Sequence, residues 1–384
     1  MKIVRLLAGA GALASCAIGF VLATQNFVDF QIDGAKGILS GVNIYDPSEF
    51  SARSAPNYGH LLYFILSPLT ILGDSTARTL FAVLNLTLSV VVLMLIARRM
   101  GLRSSELAHV ALILFLSTPF RVALGNSQTS LLFLFFILLF SGKSLRFFGY
   151  GLGAFKFSFA PPFATLAVIS GPRALVAFGS AVTLPALAAV AITSDFSTMV
   201  GPLARQIGAP QVAFGYGDLL TLFRHLGIEG AFVTLGVACL CVLASLLLLR
   251  SDEEVGSPVI GALILSLLFL PHLIYDFVVL IVPYAWFISR PKSRLRSAGL
   301  LSILAILFLQ TVSNLVFVSL RRLGVPSNLS LDETSVFSCL LIFTLLVTLL
   351  SIYKREQISV STGASMSRGA ARSALEECGH RRER

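Results

Sequence analysis

Four small groups of polar residues stand in otherwise apolar surroundings, and each could carry chemistry. The first is Asp29, in the stretch Phe27-Val28-Asp29-Phe30-Gln31-Ile32-Asp33 that follows an apolar run. A carboxylate placed there could act as a general base, taking the proton of a hydroxyl as that oxygen forms a new bond. It could equally cap a helix or stay solvated. Asp33 follows four residues later, on the same face of a helix. The second group is Pro271-His272-Leu273-Ile274-Tyr275-Asp276, at the junction of two apolar runs. His272 and Asp276 are spaced to share a helix face, although such a group also suits a tight turn. The third is Lys156, the one cation in a deep apolar segment. Its ammonium must find a polar cavity or reach the surface, and a phosphate is one natural counter-charge. The fourth is Arg121 with Gly125-Asn126-Ser127-Gln128, where the Asn126 and Gln128 amides could bind sugar hydroxyls or cap the next helix.

Other chemistries leave no trace in the chain. There is no phosphate-binding glycine loop, nucleophile elbow or dinucleotide fingerprint. Acidic residues are not clustered at metal-ligand spacing, so neither a metal nor another cofactor is expected. Four of the five cysteines, Cys16, Cys239, Cys241 and Cys339, lie in apolar runs, and Cys378 lies near the end; they read as packing residues. The 30 phenylalanines read as packing or lipid-facing groups.

The elements that must position these residues are membrane helices. Apolar residues make up 56% of the chain and charged residues 12%, about half the charged share of a soluble domain. Too much apolar surface is present for a soluble core to hide. Long apolar runs recur up to Tyr353 without the alternation of a membrane barrel, so the backbone must satisfy itself within helices. The net charge of +10 is not a nucleic-acid footprint. With the N-terminus inside, 20 of the 29 Lys and Arg residues fall in cytoplasmic loops or the tail, while 11 of the 19 acids fall elsewhere. That asymmetry is the positive-inside pattern. The reading gives about twelve helices, two of them half-length in residues 149–170, with polar outer segments at 25–57 and 194–230. Residues 58–72, interrupted by Pro68, read as an interfacial or re-entrant helix. Residues 1–24 resemble a signal peptide but read better as an uncleaved first helix. Residues 1–353 form one membrane domain. Residues 354–384 form a basic tail, expected to be disordered, which anionic lipid would attract.

Taken in order, these segments resemble glycosyltransferase family 87, a branch of the membrane-embedded C-type glycosyltransferases. The family's acid after the first helix is similar to Asp29, and its glycine before a Tyr-Asp-Pro turn to Gly41-Val42-Asn43-Ile44-Tyr45-Asp46-Pro47. A Tyr-Pro-Pro-Leu stretch is matched by Tyr58-Gly59-His60-Leu61, without its prolines. Gly125-Asn126-Ser127-Gln128 resembles Gly-Gln-x-Asn imperfectly, and residues 149–156 resemble a half-span ending in Lys. The corner from Pro271 to Asp276 is the best match. The resemblance implies an all-α C-type fold and a polyprenyl-phosphate hexose donor, typically mannose. A lipid or glycan acceptor would receive the sugar at the outer face of the cytoplasmic membrane. Asp29 would be the base, with His272 near a substrate phosphate. Asp33, Tyr58, Arg121, Asn126, Gln128, Lys156, Tyr275 and Asp276 would line the substrate site, and Lys156, Arg121 or Arg224 would supply positive charge. The departures at His60 and Asn126 bear on the donor and on activity. Two other classes fit a chain of this composition: a transporter or flippase of lipid-linked saccharides, and a non-catalytic assembly protein. Without a clear internal repeat, the transporter class has less behind it.

Overall fold

The computed structural model describes residues 2–25, 31–46, 58–140, 145–208, 218–228, 230–249, 257–322 and 338–352, and among these every regular element is a helix. Asp29, the outer segment 47–57 and the tail lie outside the described residues.

Helix α1 (Lys2–Thr24) carries no acid, and beyond Lys2 and Arg5 it is apolar from Leu6 to Thr24. Only 17% of its apolar window is buried, so lipid covers most of it. Helix α2 (Ile32–Leu39) is two-sided: Ile32, Ala35 and Ile38 face inward and Asp33 is exposed. It lies on α3 (His60–Leu66) and on the 3-10 turn Ser67–Ile71, which starts where Pro68 removes a helical N–H. Helix α4 (Asp74–Met100) spans 27 residues and is 44% buried across its apolar window. Lys36 on α2 reaches Asp74 at the head of α4, at 3.0 Å.

Helices α5 (Ser104–Leu116) and α6 (Thr118–Gly125) were expected to include a straight crossing over 107–119. They meet instead at a 59° bend. The cause is local: Pro119 has no N–H to continue α5, and the Ser117 hydroxyl accepts the Phe120 amide to start α6. Helix α7 (Ser130–Leu139) ends against Arg99, whose guanidinium donates to the Leu138 carbonyl. Helix α8 (Arg146–Gly153) stops at residues 154–156, and the 3-10 turn Phe157–Phe159 leads into α9 (Ala160–Ile169), which opens with Pro161 and Pro162. Helix α10 (Pro172–Thr193) packs closely on α8. A Cβ at Gly151 would lie 2.6 Å from the Phe178 carbonyl oxygen, which is why the contact needs glycine.

Four further helices follow: α11 (Ser197–Gly208), α12 (Leu219–His225), α13 (Ala231–Leu248) and α14 (Ser257–Phe269). Residues 277–289, read as one helix from sequence, divide between a 3-10 segment, Ile274–Leu280, and α15 (Ile281–Ser289). Helices α16 (Arg294–Arg322) and α17 (Ser338–Ile352) complete the described chain. The most enclosed layer is α14, the 3-10 segment and α15, where Leu263, Leu265, Val279, Leu280, Ala285 and Phe287 have no exposed surface.

By length and composition, four described helices can each cross a membrane: α1, α4, α10 and α13. The bent pair α5–α6 makes a fifth. The apolar stretches around the centre are shorter, 10–17 residues, and are broken by turns. Broken backbone at membrane depth is tolerated where protein encloses it.

Candidate functional site

Four of these breaks meet. They are the turn before α3 at Tyr58-Gly59, the α6–α7 turn at 126–129, the α8–α9 break at Lys156, and the corner from Pro271 to Asp276. Gly59 fixes the first against the third. Its N–H donates to the Phe155 carbonyl at 2.7 Å, and a Cβ there would meet Phe155 Cα at 2.9 Å.

At the centre, Lys156 Nζ lies 2.7 Å from Asp276 Oδ1, and both side chains are almost fully buried. The Ser130 hydroxyl donates to the same carboxylate oxygen at 2.9 Å. His272 Nδ1 faces the other oxygen, Oδ2, at 3.3 Å. Tyr58 and Tyr275 place their rings 5.3 and 5.2 Å from the ammonium, close enough for cation–π attraction. Tyr58 in turn donates its hydroxyl to Gln128 Oε1 at 2.9 Å. The His272 ring packs on Phe159, with centroids 4.4 Å apart. A buried ion pair of this kind holds only when hydrogen bonds satisfy the remaining lone pairs, and here Ser130 and His272 do so.

The network continues away from the pair. Tyr45 donates its hydroxyl to the Tyr58 carbonyl at 2.9 Å, and His60 Nε2 meets the Thr198 carbonyl at 2.8 Å. Tyr63 accepts from the Tyr58 amide and donates to Gln31 Oε1, each at 3.3 Å. Gln31 is two residues beyond Asp29 in the chain. Nearby, outside the spanning helices, Asn43 Nδ2 donates to Asp195 Oδ2 at 2.7 Å and to Ser197 Oγ at 2.9 Å. The Ser197 hydroxyl and amide, with Asn43, hold the Asp195 carboxyl below its ordinary value.

Of the residues singled out from sequence, Tyr58, Gln128, Lys156, His272, Tyr275 and Asp276 come together. His272 and Asp276 do so by another route than a shared helix face, because residues 271–273 are outside any helix and Asp276 lies in the first turn of the 3-10 segment. Asn126 joins through its carbonyl, which accepts from Gln128 Nε2 at 3.3 Å. Asp33 is exposed, 3.9 Å from Lys36 on its own helix, and stands apart from the cluster. Arg121 is half-buried on α6 and makes no hydrogen bond or ion pair with the cluster among the described residues. The Arg224 side chain is outside the described set. Lys156, expected to meet a phosphate, has its charge taken up by Asp276.

Sequence reasoning passed over Ser130, which looked like an ordinary helix start, and Asp218. The latter is fully buried at the head of α12, where Thr221 donates its amide at 2.8 Å and its hydroxyl at 2.7 Å. An aspartate three residues before Thr221 was a readable capping signal. It also lies within electrostatic reach of His272. No group of three potential metal-binding side chains occurs among the described residues. No family model, no curated protein and no solved structure matches this chain.

Proposed function

We propose that this protein transfers a hexose, mannose being typical, from a polyprenyl-phosphate donor to a lipid or glycan acceptor at the outer face of the cytoplasmic membrane. The reading rests on the resemblance to glycosyltransferase family 87, and with it come a C-type fold and about twelve spanning or half-spanning helices. The observation that carries it is the meeting of Tyr58, Gln128, Lys156, His272 and Asp276 at four helix breaks. Those residues come from four separate motifs of the resemblance.

In the reaction the acceptor oxygen attacks the anomeric carbon of the donor sugar. The bond from that carbon to the phosphate oxygen breaks, and the polyprenyl phosphate leaves with the electron pair. Asp29 takes the acceptor's proton. Tyr58 is joined through Tyr63 to Gln31, which follows Asp29 by two residues in the chain. His272, held by Asp276, orients the substrate. Lys156 organises the site through Asp276 and the two tyrosine rings.

The decisive measurement is transfer of labelled sugar from a polyprenyl-phosphate donor in reconstituted membranes, with Asp29→Asn against wild type. Loss of a general base lowers the rate by about a hundred- to ten-thousand-fold. Near-normal transfer at equal protein level would refute the assignment.

One observation favours a second reading. A buried, titratable Lys–Asp–His cluster also suits proton-coupled movement of a saccharide lipid. Vesicles loaded with a fluorescent polyprenyl-linked saccharide separate the two: flipping under a pH gradient without sugar transfer would select the transporter.

A further inference from the structure

Among the described residues, three enclosed polar atoms on residues that belong to the cluster or flank its members in the chain have no hydrogen-bond partner: Ser127 Oγ, Thr129 Oγ1 and His272 Nε2. Their residues are 3%, 2% and 1% exposed. All three are tied closely to the cluster. Gln128, between the two hydroxyl residues, accepts from Tyr58, and Ser130, just beyond them, donates to Asp276. His272 holds Asp276 through its other ring nitrogen. Enclosed polar groups without partners destabilise a fold, so their presence calls for an explanation. Ser127 adds a second oddity, a φ of 50°, which glycine would adopt without strain.

The chemistry of the three atoms selects a ligand. A serine or threonine hydroxyl both donates and accepts, as do the hydroxyls of a sugar. A phosphate only accepts, and in an enclosed site it needs positive charge. Lys156, the cation of this cluster among the described residues, is already neutralised by Asp276. We propose that Ser127, Thr129 and His272 Nε2 form a subsite for the uncharged hydroxyls of a pyranose, and that the phosphate of a lipid-linked sugar is held elsewhere. This rests on the glycosyl-transfer reading and assigns the part of the substrate that the buried turn contacts.

Binding is measured without turnover, in nanodiscs, with octyl mannoside and octyl glucoside as probes and octyl phosphate and octanol as controls. Wild type is expected to bind at least one hexoside better than either control. Thr129→Val keeps the shape and removes the hydroxyl, and it should weaken that hexoside on the order of tenfold. Thr129→Ser should restore it. Ser127→Gly should weaken it similarly while the unliganded protein unfolds at the same or higher temperature. Unchanged hexoside affinity in folded Thr129→Val and Ser127→Gly would overturn the proposal, as would octyl phosphate binding as tightly as the hexosides. If Thr129→Val does not fold, Ser127→Gly carries the test alone. Asp29→Asn should bind the hexoside as wild type does. Normal transfer by Asp29→Asn with a Thr129-dependent hexoside site would therefore remove the base and leave the subsite standing.

Discussion

Asp276 is the residue on which the cluster turns, because Lys156, Ser130 and His272 all spend a contact on its two oxygens. Removing either charge leaves the other buried and alone, which costs about 3–5 kcal/mol. Lys156→Met and Asp276→Leu are each expected to lower stability by that order, while the double variant recovers most of it. Unfolding in denaturant, compared over the four proteins of this cycle, measures the coupling. Additive losses would show that the two residues act independently. A lone lysine in an apolar run announces that it needs a partner, and so Lys156 stood out in the sequence. Its partner did not, since 120 residues separate the two and Asp276 sits just as well in a helix with His272. Ser130 was hidden for a different reason: serine at a helix start is ordinary.

At the scale of elements, the chain holds its broken helices together with ties outside the apolar segments. Asn43 and Asp195 join the turn after α2 to the head of α11. The Asp195 carboxyl sits below its ordinary value because Ser197 and Asn43 donate to it. Its contribution is therefore fully present above the unfolded value of about 3.9 and is lost as pH falls through the lower folded value. The difference between the unfolding midpoints of wild type and Asp195→Ala is expected to be constant at about pH 7 and to shrink as pH falls below the unfolded carboxylate value of about 3.9. A gap that stays constant with pH would assign the effect to packing. The long apolar helices α1, α4, α10 and α13 were legible because lipid-facing sequence needs no partner to explain it. The bend at Ser117 and the 3-10 segment at Asp276 were not. The bend follows from a local exchange, in which Pro119 lacks an N–H and Ser117 takes the Phe120 amide, whereas the 3-10 segment carries Asp276 to the distant Lys156 and Ser130.

For the whole molecule, the distribution of charge sets the orientation. On the proposed topology, the excess of Lys and Arg at residues 98–103, 143–146 and 290–296 and in the tail is the signal that would keep those segments in the cytoplasm. Ser104→Cys is expected to react with a membrane-impermeant thiol reagent only after the vesicle is opened, and Ser40→Cys in intact right-side-out vesicles. Both residues are exposed, at the heads of α5 and the end of α2. Labelling of the two from the same side would break the proposed twelve-crossing arrangement. The arrangement of long helices around short broken ones has a further result for how the protein is made. Lys156 leaves the ribosome 120 residues before Asp276. At roughly 5–20 residues per second this is a wait of about 6–24 s. An unpaired ammonium is costly at membrane depth, so α8 and α9 are expected to reach their final depth only after the corner at Pro271 has been threaded. A nascent chain stalled before Asp276 would carry Lys156 without the carboxylate that neutralises it in the finished fold.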